Sequence, residues 1–230
     1  MNNIIEMFKS IQGEGKYIGI PSIFIRFANC NLSCGFCDTR YSWDDSVSSP
    51  YNYRDAIKFI SKNPAYKHIV ITGGEPLIHQ FDVKELINKT SSRDSTFTIE
   101  TNGSIRPDNE LLAIMRFHNG LWSVSPKIHY LDTHYDLSIL EKFNHQKNIQ
   151  WKFVIRGMID MKDDIEKVLS LIEHGIITPT EPIILQPNGL RTDYNNACRE
   201  LADYVIQNDL IQFRVIPQFH RICWGQERGK

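Results

Sequence analysis

Three of the chain's five cysteines fall within eight residues, in "CNLSCGFCDTRYSW" (30–43), where Cys30, Cys34 and Cys37 are spaced C-x3-C-x2-C. A closed tetrahedral zinc site takes four ligands at matching spacings, and no fourth Cys or His stands nearby. A catalytic zinc would accept three ligands, but three thiolates on one short loop suit a cubane iron–sulfur cluster better. Its fourth iron then has no protein ligand and stays open to a substrate or cofactor. A second chemical stretch, "ITGGEPLIH" (71–79), puts Gly73 and Gly74 directly after a strand pattern, where missing side chains let backbone approach a ligand closely. Taken alone, an ordinary strand-ending turn explains that pair as well. "IETNGS" (99–104), "SVSPK" (123–127) and "ILQPNG" (184–189) likewise place Glu100, Asn102, Ser125, Pro126, Lys127 and Gln186 at or just past the ends of strand patterns. For each polar residue of that set, a capping or turn role competes with ligand contact.

Positioning such residues together requires a scaffold whose strands all end on one rim. Short β-branched or aromatic runs recur at 4–8, 22–27, 68–72, 96–100, 121–125, 150–155, 182–186 and 213–218. Helical periodicity fills many of the gaps, most clearly at 53–62, 82–90, 108–117, 163–174 and 193–207, with Asp near the helix starts. Alternation of this kind predicts parallel βαβ units, and no GxGxxG follows an early strand. The expected fold is an α/β partial, open TIM-like barrel of parallel strands with crossover helices, one domain over residues 1–230, with its site at the C-terminal rim. Residues 42–53, rich in Ser, Asp and Tyr, read as a surface loop.

Composition narrows the function classes. The 230 residues are 41% hydrophobic and carry 26 Lys+Arg against 27 Asp+Glu, leaving no positive excess for nucleic-acid phosphates. A small-molecule substrate is expected, with no nucleic-acid partner. The start "MNNIIEMFKS" lacks a secretory pattern, and no stretch approaches the roughly 18 apolar residues of a membrane span. A cytoplasmic protein with no membrane partner follows as the expectation, and in that reducing compartment clustered cysteines serve metals or catalysis. Cys198, inside a helical pattern, reads as a small core residue.

C-x3-C-x2-C with Phe36 before the last cysteine resembles the radical S-adenosylmethionine superfamily, and the GGEP stretch resembles its motif for the cofactor's amino group. The resemblance implies one 4Fe-4S cluster on Cys30, Cys34 and Cys37, with S-adenosyl-L-methionine chelating the open iron and yielding a radical that abstracts hydrogen. The cofactors then carry the difficult chemistry while the protein positions it. Gly74, Glu100, Asn102, Ser125, Pro126, Lys127 and Gln186 become the implied cofactor-binding residues.

"IIEMFKSIQGEGKYIGIPSIFIRFANCNLSCGFCDTRYSW" resembles, nearly end to end, the start of the 7-carboxy-7-deazaguanine synthase family of the queuosine and 7-deazapurine pathway, and "RVIPQFHRICWGQERGK" resembles its Gln-x-His ending. The implied reaction turns 6-carboxy-5,6,7,8-tetrahydropterin into 7-carboxy-7-deazaguanine with loss of ammonia, through hydrogen abstraction at C6 and ring contraction. Ile11, Gln12, Gly13 and Glu14 of "IQGE" match donors and acceptors of a pterin edge, and Thr72 is expected to reach the substrate. Arg26, the lone basic residue of "SIFIRF", suits the substrate carboxylate; a surface salt bridge is the alternative. Thr39 matches the family's Mg2+ ligand, against a plain turn hydroxyl, and Asp38 serves either the metal or the loop. His220 is a candidate for proton transfer or substrate contact, or is a structural histidine. A homodimer, with Trp224 and Gly225 near the interface, and an electron donor such as flavodoxin are implied by the resemblance alone. Two rivals stand against this reading: a glycyl-radical-enzyme activase, which shares the cysteine and GGEP motifs, and a zinc-binding interaction module.

Overall fold

In the computed structural model, which describes residues 2–43 and 50–230, eight strands form a single sheet in strictly sequential order. They are β1 (Ile4–Ile11), β2 (Pro21–Phe27), β3 (His68–Gly73), β4 (Thr96–Thr101), β5 (Leu121–Val124), β6 (Ile149–Ile155), β7 (Ile183–Pro187) and β8 (Phe213–Val215). Strands β2 to β8 run parallel, and β1 and β8 remain as unjoined edges, so the barrel is open. The first pair departs from the all-parallel expectation: β1 lies antiparallel to β2, with Glu6 opposite Arg26 and Phe8 opposite Phe24. Only residues 12–20 link the two strands, too few for the crossover of about a dozen residues that a parallel return needs.

Helices α1 (Tyr53–Ser61), α2 (Gln80–Thr90), α3 (Asn109–Phe117), α4 (Leu131–His134), α5 (Leu137–Asn144), α6 (Met158–Glu173) and α7 (Tyr194–Gln207) supply the crossovers, and α8 (Phe219–Trp224) follows β8. Local chemistry sets their starts. Asn52 caps α1 by accepting from Arg54 N at 2.9 Å, while Asp55 reaches back to Asn52 N at 3.2 Å, and Asp108 caps α3 through Leu111 N at 2.7 Å. Both ends of the loop expected at 42–53 are ordered by contacts: Ser42 is buried and bonded to Thr39 O, and Tyr51 bridges to Ile4. The part of that loop at 44–49 lies outside the described residues.

Strand alternation sorts the side chains into two faces. Ile23, Ile25 and Phe27 of β2, with Ile69, Ile71, Phe97 and Ile99 of its neighbours, join Ala56, Val83, Leu86 and Leu111 of the outer helices in one buried apolar cluster. Most of the intervening positions, which point into the barrel, are polar: Ser22 and Arg26, His68 and Thr72, Thr98 and Glu100, Gln150 and Lys152, and Gln186, with Phe24, Val70, Val154 and Ile184 the apolar members of that face. No helix among the described residues is long and apolar enough to cross a membrane.

Candidate active site

The C-terminal ends of the strands surround a cavity of about 520 Å³, well within the range of ligand pockets. Cys30, Cys34 and Cys37, on the loop leaving β2, line it together with Asp38 and Thr39. All three cysteines are free thiols. Burial pushes Cys30 up to about 11, against the Leu32 N–H that bonds its sulfur, and also raises Cys34. As bare thiols Cys30 and Cys34 would stay protonated, so their thiolate form calls for a bound metal centre. Among the described residues, no three His, Cys, Asp or Glu side chains converge tightly enough for a single ion. Ligands that each take a different iron of one cubane need no such convergence, whereas a mononuclear zinc does.

Backbone packing explains the glycine motif. A Cβ on Gly74 would lie 2.1 Å from Asn29 O, and one on Gly73 would lie 2.3 Å from Phe27 O. Gly74 N and Glu75 N bond to Phe27 O and Asn29 O, so β3's end is stitched to the start of the cysteine loop. Here the close approach is to the protein's own backbone, and it fixes where the thiols begin. Glu75, wholly buried, accepts from Leu77 N, Thr101 Oγ1 and Asn102 N at 2.7–3.0 Å and so ties the same turn to the end of β4.

The polar positions past the strand ends gather around the same space. Ile11, Gln12, Gly13, Glu14, Arg26, Thr72, Gly74, Glu100, Asn102, Ser125, Lys127, Gln186 and His220 all line the cavity; Pro126 does not. Asn102 accepts from Ser104 N at 2.8 Å and donates to Asn31 Oδ1, so it braces the cysteine loop as well as facing the cavity. Lys127 donates to Ser125 at 2.9 Å; burial lowers its pKa, while nearby Cys34 acts the other way. Gln186 is almost wholly buried and its Nε2 donor has no hydrogen-bond partner among the described residues. The residue lines the cavity, so an unspent buried donor stands in the cavity wall. Together with the three thiols, this donor set fits a cluster and an adenine-bearing cofactor.

Arg26 sits in neither of the two environments expected of it alone. Its Nε donates to Glu6 at 2.9 Å across β1 and β2, in a half-buried pair, and its guanidinium lies 5.8 and 5.9 Å from the Phe8 and Tyr41 ring centres. Only Nε is engaged by the described residues, which leaves the terminal nitrogens of a cavity-lining arginine free to bind a carboxylate. Glu6 also accepts from Tyr41 OH at 2.9 Å and from Arg228, whose chain-end segment joins the cavity wall.

Sequence reasoning overlooked Lys152. Only 5% exposed on β6, it donates to Glu100 at 3.0 Å and to Glu14. The signal was present in "IQWKFVI", where Gln150 and Lys152 alternate with Trp151, Phe153 and Ile155: a lysine at an inward position of a buried strand needs a partner. Gln218, just before α8, donates to Glu14 at 2.8 Å, and α8 brings His220 against Gly13 so closely that a Cβ there would meet Nδ1 at 2.1 Å.

Residues 24–172 match the radical SAM superfamily. The 7-carboxy-7-deazaguanine synthase of Pyrobaculum aerophilum is 30% identical over 99% of this chain and 96% of its own length, and that of Clostridium acetobutylicum is 30% identical over 98% and 97%. The crystal structure of QueE from Escherichia coli superposes with a TM-score of 0.66 at 28% identity, covering 95% of this chain and 94% of that one. Streptococcus suis SuiB, at 14% identity and a TM-score of 0.54, shares the fold over less than half of its own length. On these likenesses and the site that accompanies them, the chain belongs to the radical SAM superfamily and, within it, to the 7-carboxy-7-deazaguanine synthases.

Proposed function

We propose that the chain converts 6-carboxy-5,6,7,8-tetrahydropterin into 7-carboxy-7-deazaguanine with loss of ammonia, as a step of queuosine or 7-deazapurine formation. The observation that carries this reading is the single cavity lined both by the three thiols and by Arg26 with the Glu14–Lys152–Glu100 group. A 4Fe-4S cluster held by Cys30, Cys34 and Cys37, with S-adenosyl-L-methionine bound, supplies radical abstraction of the hydrogen at substrate C6. The chain's own side chains bind and orient. Arg26 takes the substrate carboxylate through its terminal nitrogens, and Glu6 holds the guanidinium in place. Ile11, Gln12, Gly13, Glu14 and Thr72 hold the pterin ring. Gly74, Glu100, Asn102, Ser125, Lys127 and Gln186, with Pro126 shaping the turn between two of them, surround the cofactor. His220, near enough to Glu14 to help keep it ionised, contacts substrate or relays a proton.

Thr39, whose hydroxyl lies 3.6 Å from Cys37 Sγ, offers Mg2+ an oxygen beside substrate oxygens, with Asp38 next to it. A cytoplasmic homodimer reduced by a flavodoxin or ferredoxin completes the proposal, on family resemblance. Anaerobic incubation of reconstituted protein with S-adenosylmethionine, reductant, Mg2+ and 6-carboxytetrahydropterin should yield 7-carboxy-7-deazaguanine by mass spectrometry. Slow release of 5'-deoxyadenosine and methionine with no deazaguanine product would refute the substrate assignment.

A further inference from the structure

Lys152 belongs to the group that lines the cavity but has no task of its own so far, yet it is the most deeply buried cation in the cavity wall. Burial alone would lower its pKa; Glu100 and Glu14 outweigh burial and raise it. It is therefore a permanent ammonium, unsuited to act as base or nucleophile. One ammonium between two carboxylates leaves a net charge of −1, so this part of the wall favours ligand edges made of donors.

The two carboxylates differ in what they have left to offer. Glu100 is nearly saturated: Oε2 accepts from Lys152 at 3.0 Å and Ser123 Oγ at 2.7 Å, and Oε1 from Gln12 Nε2 at 3.2 Å. Among the described residues Glu14 accepts one bond on each oxygen, from Lys152 on Oε2 and from Gln218 Nε2 on Oε1, which leaves each oxygen a lone pair that no described donor takes. Two free lone pairs on one planar carboxylate match two parallel donors. A pterin's pyrimidine ring carries such a pair in its N3–H and 2-amino group. A lumazine, which has oxygen in place of the 2-amino group, breaks the pair with an acceptor.

We propose that Lys152 is the positioning residue that keeps Glu14 oriented and charged, and that Glu14 so held selects the 2-amino, N3–H edge of the substrate ring. This rests on the reading of the substrate as a 6-carboxypterin and assigns the specificity of that same site. Burial would raise Glu14, but Lys152 and then His220 draw it down to about 2, so it stays a carboxylate at any working pH. The charged and titratable groups around it are Lys152 from β6, Glu100 from β4, His220 from α8, Lys127 after β5, Tyr194 of α7 and, through Gln218, Asp38. Removing Lys152 takes away the largest opposing influence, and the carboxyl then gains a proton as pH falls.

Calorimetric titration of anaerobically reconstituted protein with 6-carboxypterin and with 6-carboxylumazine tests this. Wild type is expected to bind the pterin at least about tenfold more tightly, the worth of one charged hydrogen bond. Lys152→Met should lose about tenfold or more for the pterin, increasingly toward low pH, with lumazine binding unchanged, and Lys152→Arg should recover most of the loss. Glu14→Gln with Lys152→Met, which removes the ion pair as a unit and guards against misfolding, should bind both rings equally. Equal loss for both rings in these variants, at every pH, would leave Lys152 a purely structural residue and overturn the proposal. Wild type that binds the pterin without preferring it overturns the proposal and spares the substrate reading, whereas wild type that binds neither ring defeats both.

Discussion

Two polar layers lie inside the same barrel and differ in almost every physical respect. At the N-terminal ends of the strands, His68 bonds through Nδ1 to Ser22 Oγ at 2.7 Å and through Nε2 to Thr98 Oγ1 at 2.8 Å. Ser22 spends its one hydroxyl hydrogen on Ile20 O, so His68 carries its proton on Nδ1 and accepts at Nε2 from Thr98. Every group there is neutral, buried and satisfied by another. At the C-terminal ends, Glu14, Lys152, Glu100, Lys127 and Arg26 are ionisable, Gln186 Nε2 lacks a partner among the described residues, and a cavity opens between them. Burial of polar groups is common to both layers; what separates a stabilising layer from a working one is unspent hydrogen-bonding capacity and charge.

Breaking the upper layer should cost function first. Replacing Cys30, Cys34 or Cys37 by Ala should abolish cluster loading and cofactor cleavage, read as iron content and visible absorbance, while Ser22→Ala below loads normally; full iron in any cysteine variant would contradict the ligand assignment. Gly74→Ala changes no cluster ligand, yet its Cβ would press into Asn29 O and displace the cysteine loop. Cluster occupancy and turnover should fall about tenfold or more, within the range of strain at special backbone positions; normal loading would show that the loop is not positioned from β3. Arg26→Lys loses either the Glu6 bond or the bidentate edge, so KM for the carboxylated substrate should rise about 10- to 100-fold with kcat less affected. An unchanged KM would place the carboxylate elsewhere.

The lower layer answers to pH through stability alone. Burial pushes His68 down to about 4, below its ordinary 6.5 in the unfolded chain. A depressed histidine contributes full stability above pH 6.5, loses it as the unfolded chain takes up protons between 6.5 and 4, and loses no more below. The change is about 3 kcal/mol, and Thr98→Val should cost a further 1–3 kcal/mol or so without altering turnover per folded molecule. Denaturation midpoints across that pH range check both, and a flat profile would mean that His68 is reached by water.

Much of this was legible in the residues. All eight strands and five of the helices follow from periodicity, and the motif residues converge because parallel strands share one rim. Two features escaped for definite reasons. The antiparallel start depends on the length of the β1–β2 link, which periodicity does not measure. Helices α4, α5 and α8 are short, and α6 begins at Met158, before the Asp163 expected to open it, with Gly157 and not an Asp at its N-cap. Within the site, motifs led to single residues, whereas Lys152, Glu6 and Glu75 act through partners distant in sequence. Lys152 and Arg26 carry the same signal, a cation at an inward strand position, and only the one inside a recognised stretch drew notice.

The central claim is that three thiols hold a cluster with one position kept open at the head of this cavity. Electron paramagnetic resonance of the reduced, reconstituted wild-type protein, recorded before and after S-adenosylmethionine, tests it most directly. A reduced 4Fe-4S signal whose shape changes on adding the cofactor is the predicted result. A cluster signal identical in its presence and absence, or no cluster signal at all, would contradict it.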